Sequence, residues 1–143
     1  VGGALRGAVV RRVFLRHHQA ASVDVHLHLH GLDDIAMVVS GYLGSAGQIA
    51  PLSELVTAWR GSAGAQGDYI LDPVMGDAGR LYVAPALADG IRDKLLPLAD
   101  IITPNQFELG YLSGTEITSR QSAGRSGLRD HVMLTHCALP PTR

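Results

Sequence analysis

Three short apolar runs, at residues 35–39, 68–72 and 100–103, alternate with segments whose apolar residues recur at helical spacing, and this alternation narrows the possible folds more than any other feature. The first run, Ile35-Ala36-Met37-Val38-Val39, is uninterrupted and partly β-branched, the pattern of a strand buried on both faces. Residues 48–60 then place Ile49, Leu52, Leu55, Val56 and Trp59 on one helical face, with Pro51 tolerable in the first turn and Gly61-Ser62 closing the element. After the second run, residues 73–83 read as a loop. Pro85 opens a helix in which Leu87, Ile91, Leu95 and Leu96 share a face until Pro97 stops it. Asn105 begins a short third helix carrying Phe107, Leu109 and Leu112, and Gly114 suits the left-handed residue past its end. The order β-α-β-α-β-α predicts an α/β fold, with parallel strands joined by right-handed crossovers.

That topology gives the polar residues at the strand ends their meaning, because open α/β sheets hold ligands beyond the carboxyl ends of their strands. Tyr42 follows the first strand, Asp72-Pro73-Val74-Met75-Gly76-Asp77 the second, and Thr103-Pro104-Asn105-Gln106-Phe107-Glu108 the third. Asp72 ends a strand just before proline, a position biased toward extended geometry, so its carboxylate should project from the rim. An isolated Asp-Pro is most simply a solvated strand end, but Asp77 brings a second acid back to the same place. Gly76 between them is expected to let the backbone approach a phosphate. Asn105 with Glu108 three residues on reads first as a capping box. A helix N-terminus also favours anions, so the same pair could arrange a cation and phosphate above it. Acids from separate units can together hold a hydrated cation, since hard oxygen ligands suit magnesium. Tyr42 is either rim packing or an aromatic wall for a planar ring.

A chain of 143 residues, 46% hydrophobic and 17% charged, matches one globular domain. The single Cys137 cannot form an internal disulfide, and no apolar run approaches the roughly 20 residues of a membrane helix, so a cytosolic protein is expected. A net charge of -1 gives no general attraction to nucleic acid or to acidic lipid, but it conceals an uneven distribution. Between Gly31 and Ile117 stand eleven acids against Arg60, Arg80, Arg92 and Lys94, whereas the flanks hold the other eight basic residues and only Asp24 and Asp130. All seven histidines also lie in the flanks. Residues 1–30 and 119–143 are therefore read as distinct from the central 31–118. His26, His28 and His30 alternate at strand period and could line one face for zinc or nickel, but no Cys or carboxylate of suitable spacing accompanies them. The flanking arginines lack the interleaved aromatics of a base-stacking surface. An Arg-rich, acid-poor start also suits an organelle transit peptide, although a chain beginning mid-protein explains the missing initiator Met more simply.

Several of these motifs occur together in a known order. Ser40-Gly41-Tyr42-Leu43-Gly44-Ser45-Ala46, the Asp72 to Asp77 segment, Leu81-Tyr82-Val83, and the stretch from Leu96 through Glu108 closely resemble pyridoxal kinase, of the ribokinase-like superfamily. The resemblance runs from about Leu32 to Thr118. Hydroxymethylpyrimidine kinases share the Asp-Pro-Val-Met and Thr-Pro-Asn turns, but Gly76-Asp77 and Tyr42 favour pyridoxal kinase. The resemblance implies a three-layer sandwich around a mainly parallel sheet, incomplete in this chain. It also implies phosphoryl transfer from ATP to the 5′-hydroxyl of pyridoxal, pyridoxine or pyridoxamine, in a cytosolic enzyme that is homodimeric when intact. Tyr42 would lie against the pyridine ring. Asp72 would sit near ATP and, with Thr103, help hold a monovalent cation such as potassium. Asp77 and Glu108 would serve magnesium and the ATP phosphates, with Asn105 positioning that cluster. The family's Gly-x-Gly-Asp turn, whose aspartate activates the substrate hydroxyl, occurs nowhere in the 143 residues, nor is its N-terminal strand and lid recognisable. The resemblance thus implies a piece of a kinase, inactive alone, with reading-frame changes near both ends as one explanation. A non-catalytic nucleotide-binding or interaction module is the alternative.

Overall fold

The structure, a computed structural model, describes Ile35, residues 37–62 and residues 67–118. Within these residues the alternation predicted from the sequence is present. The elements are β1 (Val38–Ser40), α1 (Ile49–Arg60), β2 (Tyr69–Leu71), β3 (Gly76–Asp77), β4 (Arg80–Leu81), α2 (Pro85–Gly90), β5 (Ile101–Ile102) and α3 (Gln106–Ser113). β2 lies between β1 and β5, parallel to both, with Val38 beside Tyr69 and Leu71 beside both Ser40 and Ile102. The proposed histidine triplet and Cys137 lie outside the described residues.

Alternation along the strands sorts the side chains into two faces. Val38, Tyr69, Ser40, Leu71 and Ile102 are buried on one face, where they join the core with Leu52, Val56 and Trp59 of α1 and with Leu87, Ile91 and Leu95. The helical face predicted for 48–60 is the one that is buried: Ile49, Leu52, Leu55, Val56 and Trp59. On the other face Val39 is 47% exposed, with Ile70 and Ile101 beside it in register and half-buried. The expectation that run 35–39 is buried on both faces is therefore corrected: among the described residues, helices cover only one. The buried polar groups on the covered face are satisfied. Ser40 Oγ and the Tyr69 hydroxyl are 2.7 Å apart, and burial pushes that phenol up to about 12. Trp59 Nε1 donates to the Ile35 carbonyl at 3.1 Å.

The second helix differs from its predicted form. Regular α geometry ends at Gly90, after which Ile91–Leu95 widen into a π-helical turn and Leu96–Leu98 tighten into a 3₁₀ turn. Pro97 offers no N–H with which to continue the ladder, and the widened turn still buries Ile91 and Leu95. The chain then enters β5 under fixed anchors: Arg60 donates to the Leu98 carbonyl and pairs with Asp100, whose carboxylate accepts the Tyr69 N–H at 2.8 Å.

The stretch 73–83, read from sequence as a loop, contains the β3–β4 hairpin, with Gly76 opposite Leu81 and Asp77 opposite Arg80. Its two-residue turn, Ala78-Gly79, has φ of 48° and 82°. Positive φ at both central positions belongs to the primed turns whose twist matches an antiparallel pair.

Candidate functional site

Asp72 continues the ladder of β2, its N–H donating to the Ser40 carbonyl at 2.8 Å, while Thr103 N–H donates to the Leu71 carbonyl at 3.0 Å. The two residues therefore leave adjacent strands at the same level. Their side chains meet, Thr103 Oγ1 donating to Asp72 Oδ1 at 3.1 Å. This pairing follows from register: parallel neighbours bring their carboxyl ends to a common rim.

Asn105 and Glu108 form the capping box read from the sequence. Asn105 Oδ1 accepts the Glu108 N–H at 2.9 Å, and Glu108 Oε2 accepts the Asn105 N–H at 2.9 Å. Both side chains also reach farther than a helix cap requires. Asn105 Nδ2 donates to the Gly76 carbonyl at 2.8 Å, and Glu108 Oε1 accepts from Met75 N at 3.0 Å and Gly76 N at 3.4 Å. The first turn of α3 thereby holds the start of the hairpin and presents Asp77 beyond it. Asp77 itself is exposed, with Oδ1 accepting the Ala78 N–H at 2.7 Å.

Glu108 is 4% exposed, and burial raises its carboxyl above the usual glutamate range, against the lowering effect of the three backbone N–H groups and with a further push from Asp72. A raised native pKa means that the folded chain binds this proton more readily than the unfolded chain does. Its contribution to stability is therefore greatest below the ordinary glutamate value, falls as pH rises to the raised value, and is level above it. Glu108→Gln places an NH₂ where an N–H needs an acceptor and is expected to cost about 1–2 kcal/mol at neutral pH. The difference in urea midpoint between wild type and this variant should shrink with rising pH across that window. A difference that grows with pH there would refute the assignment.

Tyr82 is a rim residue for which sequence reasoning gave no role. It is 56% exposed, and its phenol is raised first by burial and then by the charges of Glu108, Asp77 and Asp72, with Tyr42 also contributing. All four groups lie within electrostatic reach of that phenol. Tyr42 is 52% exposed. The signal available in the sequence was its place in Leu81-Tyr82-Val83, directly after the Gly76-Asp77 segment.

The acids share a rim without forming one ligand shell. Among the described residues no three His, Cys, Asp or Glu side chains stand close enough to hold a metal ion. Glu108 has turned both oxygens to backbone amides, which explains why it does not project beside Asp72 and Asp77. Gly76 also has a different reason from the expected one. A Cβ there would lie 2.3 Å from Phe107 Cε1 and 2.6 Å from the Arg80 carbonyl oxygen, so the close approach that requires glycine is made by the protein itself.

Known proteins share the sequence and the fold of this chain. The phosphomethylpyrimidine kinase family profile matches residues 30–135, reaching beyond the 31–118 span marked by the motifs. A pyridoxal kinase of Leifsonia xyli is 47% identical over 85 residues, which are 59% of this chain and 30% of that protein. A pyridoxal kinase of Arabidopsis thaliana is 38% identical over 103 residues, 72% of this chain and 31% of that one. The solved pyridoxal kinase from Leishmania donovani, in complex with ADP and pyridoxamine, aligns with a TM-score of 0.65 at 31% identity, covering 78% of this chain and 41% of its own. The chain thus spans about a third of the length of these curated relatives. No helix among the described residues is long and apolar enough to cross a membrane.

Proposed function

The chain belongs to the phosphomethylpyrimidine kinase family, and from that membership and its likeness to pyridoxal kinases we propose that it forms the nucleotide-side rim of an ATP-dependent pyridoxal kinase. The reaction is transfer of the terminal phosphoryl group of ATP to the 5′-hydroxyl of pyridoxal, pyridoxine or pyridoxamine. The observation that carries this reading is the convergence at the strand ends: Asp72 bonded to Thr103, and Asn105 and Glu108 clamping the hairpin that bears Asp77. Phosphoryl transfer asks a protein for placement and charge neutralisation more than for covalent chemistry, and a rim of this kind supplies placement.

Tyr42 offers its ring to the pyridine of the vitamer. Asp72 and Thr103 together give hard oxygen ligands for a monovalent cation beside the nucleotide. Magnesium retains several waters and takes one or two carboxylates together with substrate phosphates. The exposed carboxylate of Asp77 fits that demand, while buried Glu108 and its cap partner Asn105 hold Asp77 in place. Bound there, the ion would offset the charge of the phosphates.

The test is calorimetric titration of the purified 143-residue chain with Mg·ATP, which is expected to show saturable binding. Absence of binding would overturn the reading. No Gly-x-Gly-Asp occurs in these residues, and a positioned base is part of what makes such transfer fast. The same polypeptide is therefore expected to bind Mg·ATP without phosphorylating pyridoxal, and near-normal turnover would refute that expectation.

A further inference from the structure

We propose that Arg80 is a phosphate-contacting cation of the rim, engaging the polyphosphate of a nucleoside triphosphate from the β4 side of the hairpin; the inference rests on the nucleotide reading above. The basic residues of the described chain are Arg60, Arg80, Arg92 and Lys94. Arg60 is committed to Asp100 and the Leu98 carbonyl, Arg92 to Asp89 and Asp93, and Lys94 lies beside Asp93 on the turn after α2. Arg80 is exposed, and among the described residues its guanidinium has no ion-pair or hydrogen-bond partner.

Its position is the second part of the argument. Arg80 stands directly opposite Asp77 in the antiparallel pair, and opposite residues of such a pair project from the same face. Asp77 nevertheless gives its carboxylate to the Ala78 N–H, so the two charges do not cancel in an ion pair. Just past β4, Tyr82 N–H donates to the Met75 carbonyl at 3.1 Å, so the chain here stays alongside the segment that joins Asp72 to Asp77. The carboxylates of Asp72 and Asp77 repel a polyphosphate brought to this rim, and a metal ion offsets only part of that repulsion. A guanidinium is permanently charged, and its forked donors match phosphate oxygens. Arg80 is thus the described cation on this rim that remains available for the task.

The experiment titrates the full chain, its Arg80→Ala variant and its Arg80→Lys variant with Mg·ATP and with AMP, and records urea unfolding of each. Arg80→Ala is expected to weaken Mg·ATP binding about tenfold, the loss of one charge-assisted contact. AMP binding should change little, Arg80→Lys should recover part of the loss, and the urea midpoint should stay put because the side chain is exposed. The difference between wild type and Arg80→Ala should also shrink as salt is added. Equal Mg·ATP affinity in wild type and Arg80→Ala would overturn this inference while leaving the nucleotide reading intact. A wild-type chain that binds no Mg·ATP would overturn both. Equal losses for ATP and AMP with a lowered urea midpoint would mark damage to the hairpin and would also overturn it.

Discussion

Trp59→Ala is expected to leave the domain largely unfolded at room temperature. The indole is fully buried at the centre of the α1 face, among residues from β1, β2 and the helical stretch after α2, and truncating such a side chain costs about 3–5 kcal/mol. The variant also strands the buried Ile35 carbonyl that Trp59 Nε1 satisfies. Whole domains are stable by only about 5–15 kcal/mol, and the sheet here has three short strands with helices on one face among the described residues. Trp59→Phe separates the two contributions, since it keeps much of the volume and loses only the N–H donor; it should be clearly milder. Far-UV circular dichroism in urea is the suitable probe, because Trp59 is the chain's single tryptophan and its removal abolishes the indole fluorescence signal. A midpoint within error of wild type for Trp59→Ala would contradict the assignment of this residue to the core.

Gly76→Ala is expected to damage the rim as well as the fold. Its Cβ would lie 2.3 Å from Phe107 Cε1 and 2.6 Å from the Arg80 carbonyl oxygen. The ring can rotate away, but the carbonyl belongs to the partner strand of the same hairpin, so relief requires the two strands to separate. Overpacking of this kind costs about 1–3 kcal/mol. The strands cannot part without disturbing the Gly76 carbonyl and N–H groups that Asn105 and Glu108 hold, so Asp77 moves with them. Mg·ATP binding should fall by about tenfold or more, as expected when one charge-assisted contact is misplaced. Adding Phe107→Ala should restore part of the stability and little of the binding, since it removes the ring clash and leaves the carbonyl clash. Wild-type stability and affinity in Gly76→Ala would show that the hairpin tolerates a side chain there.

What could be read from the sequence was whatever is encoded within a few residues. The apolar spacing of 48–60 gave the buried face of α1, the Asn105 and Glu108 spacing gave a real capping box, and Gly114 adopts the expected positive φ of 64°. What escaped depends on partners distant along the chain. The clamp between Glu108 and Met75 spans 33 residues, and nothing local marks a cap glutamate as also serving a hairpin. That hairpin was missed because each strand is two residues long and because Ala78, a poor signal for positive φ, occupies the first turn position. Gly76 was singled out correctly as a site of close approach, but a sequence does not say what approaches. The exposure of Val39 also depends on tertiary context, because an uninterrupted apolar run looks the same whether one face or both are covered.

The clamp has a mechanical consequence for the spacing of the acids. Asp72 is fixed by the strands, through Ser40 and Thr103, whereas Asp77 takes its position from the start of α3, through Asn105 and Glu108. Residues 73 and 74 join the two anchorages, since Met75 N is already held by Glu108. A shift of the first turn of α3 relative to β2 would carry Gly76 and Asp77 with it and change the gap between the two carboxylates, so the helix is the jaw that sets the gauge of this rim.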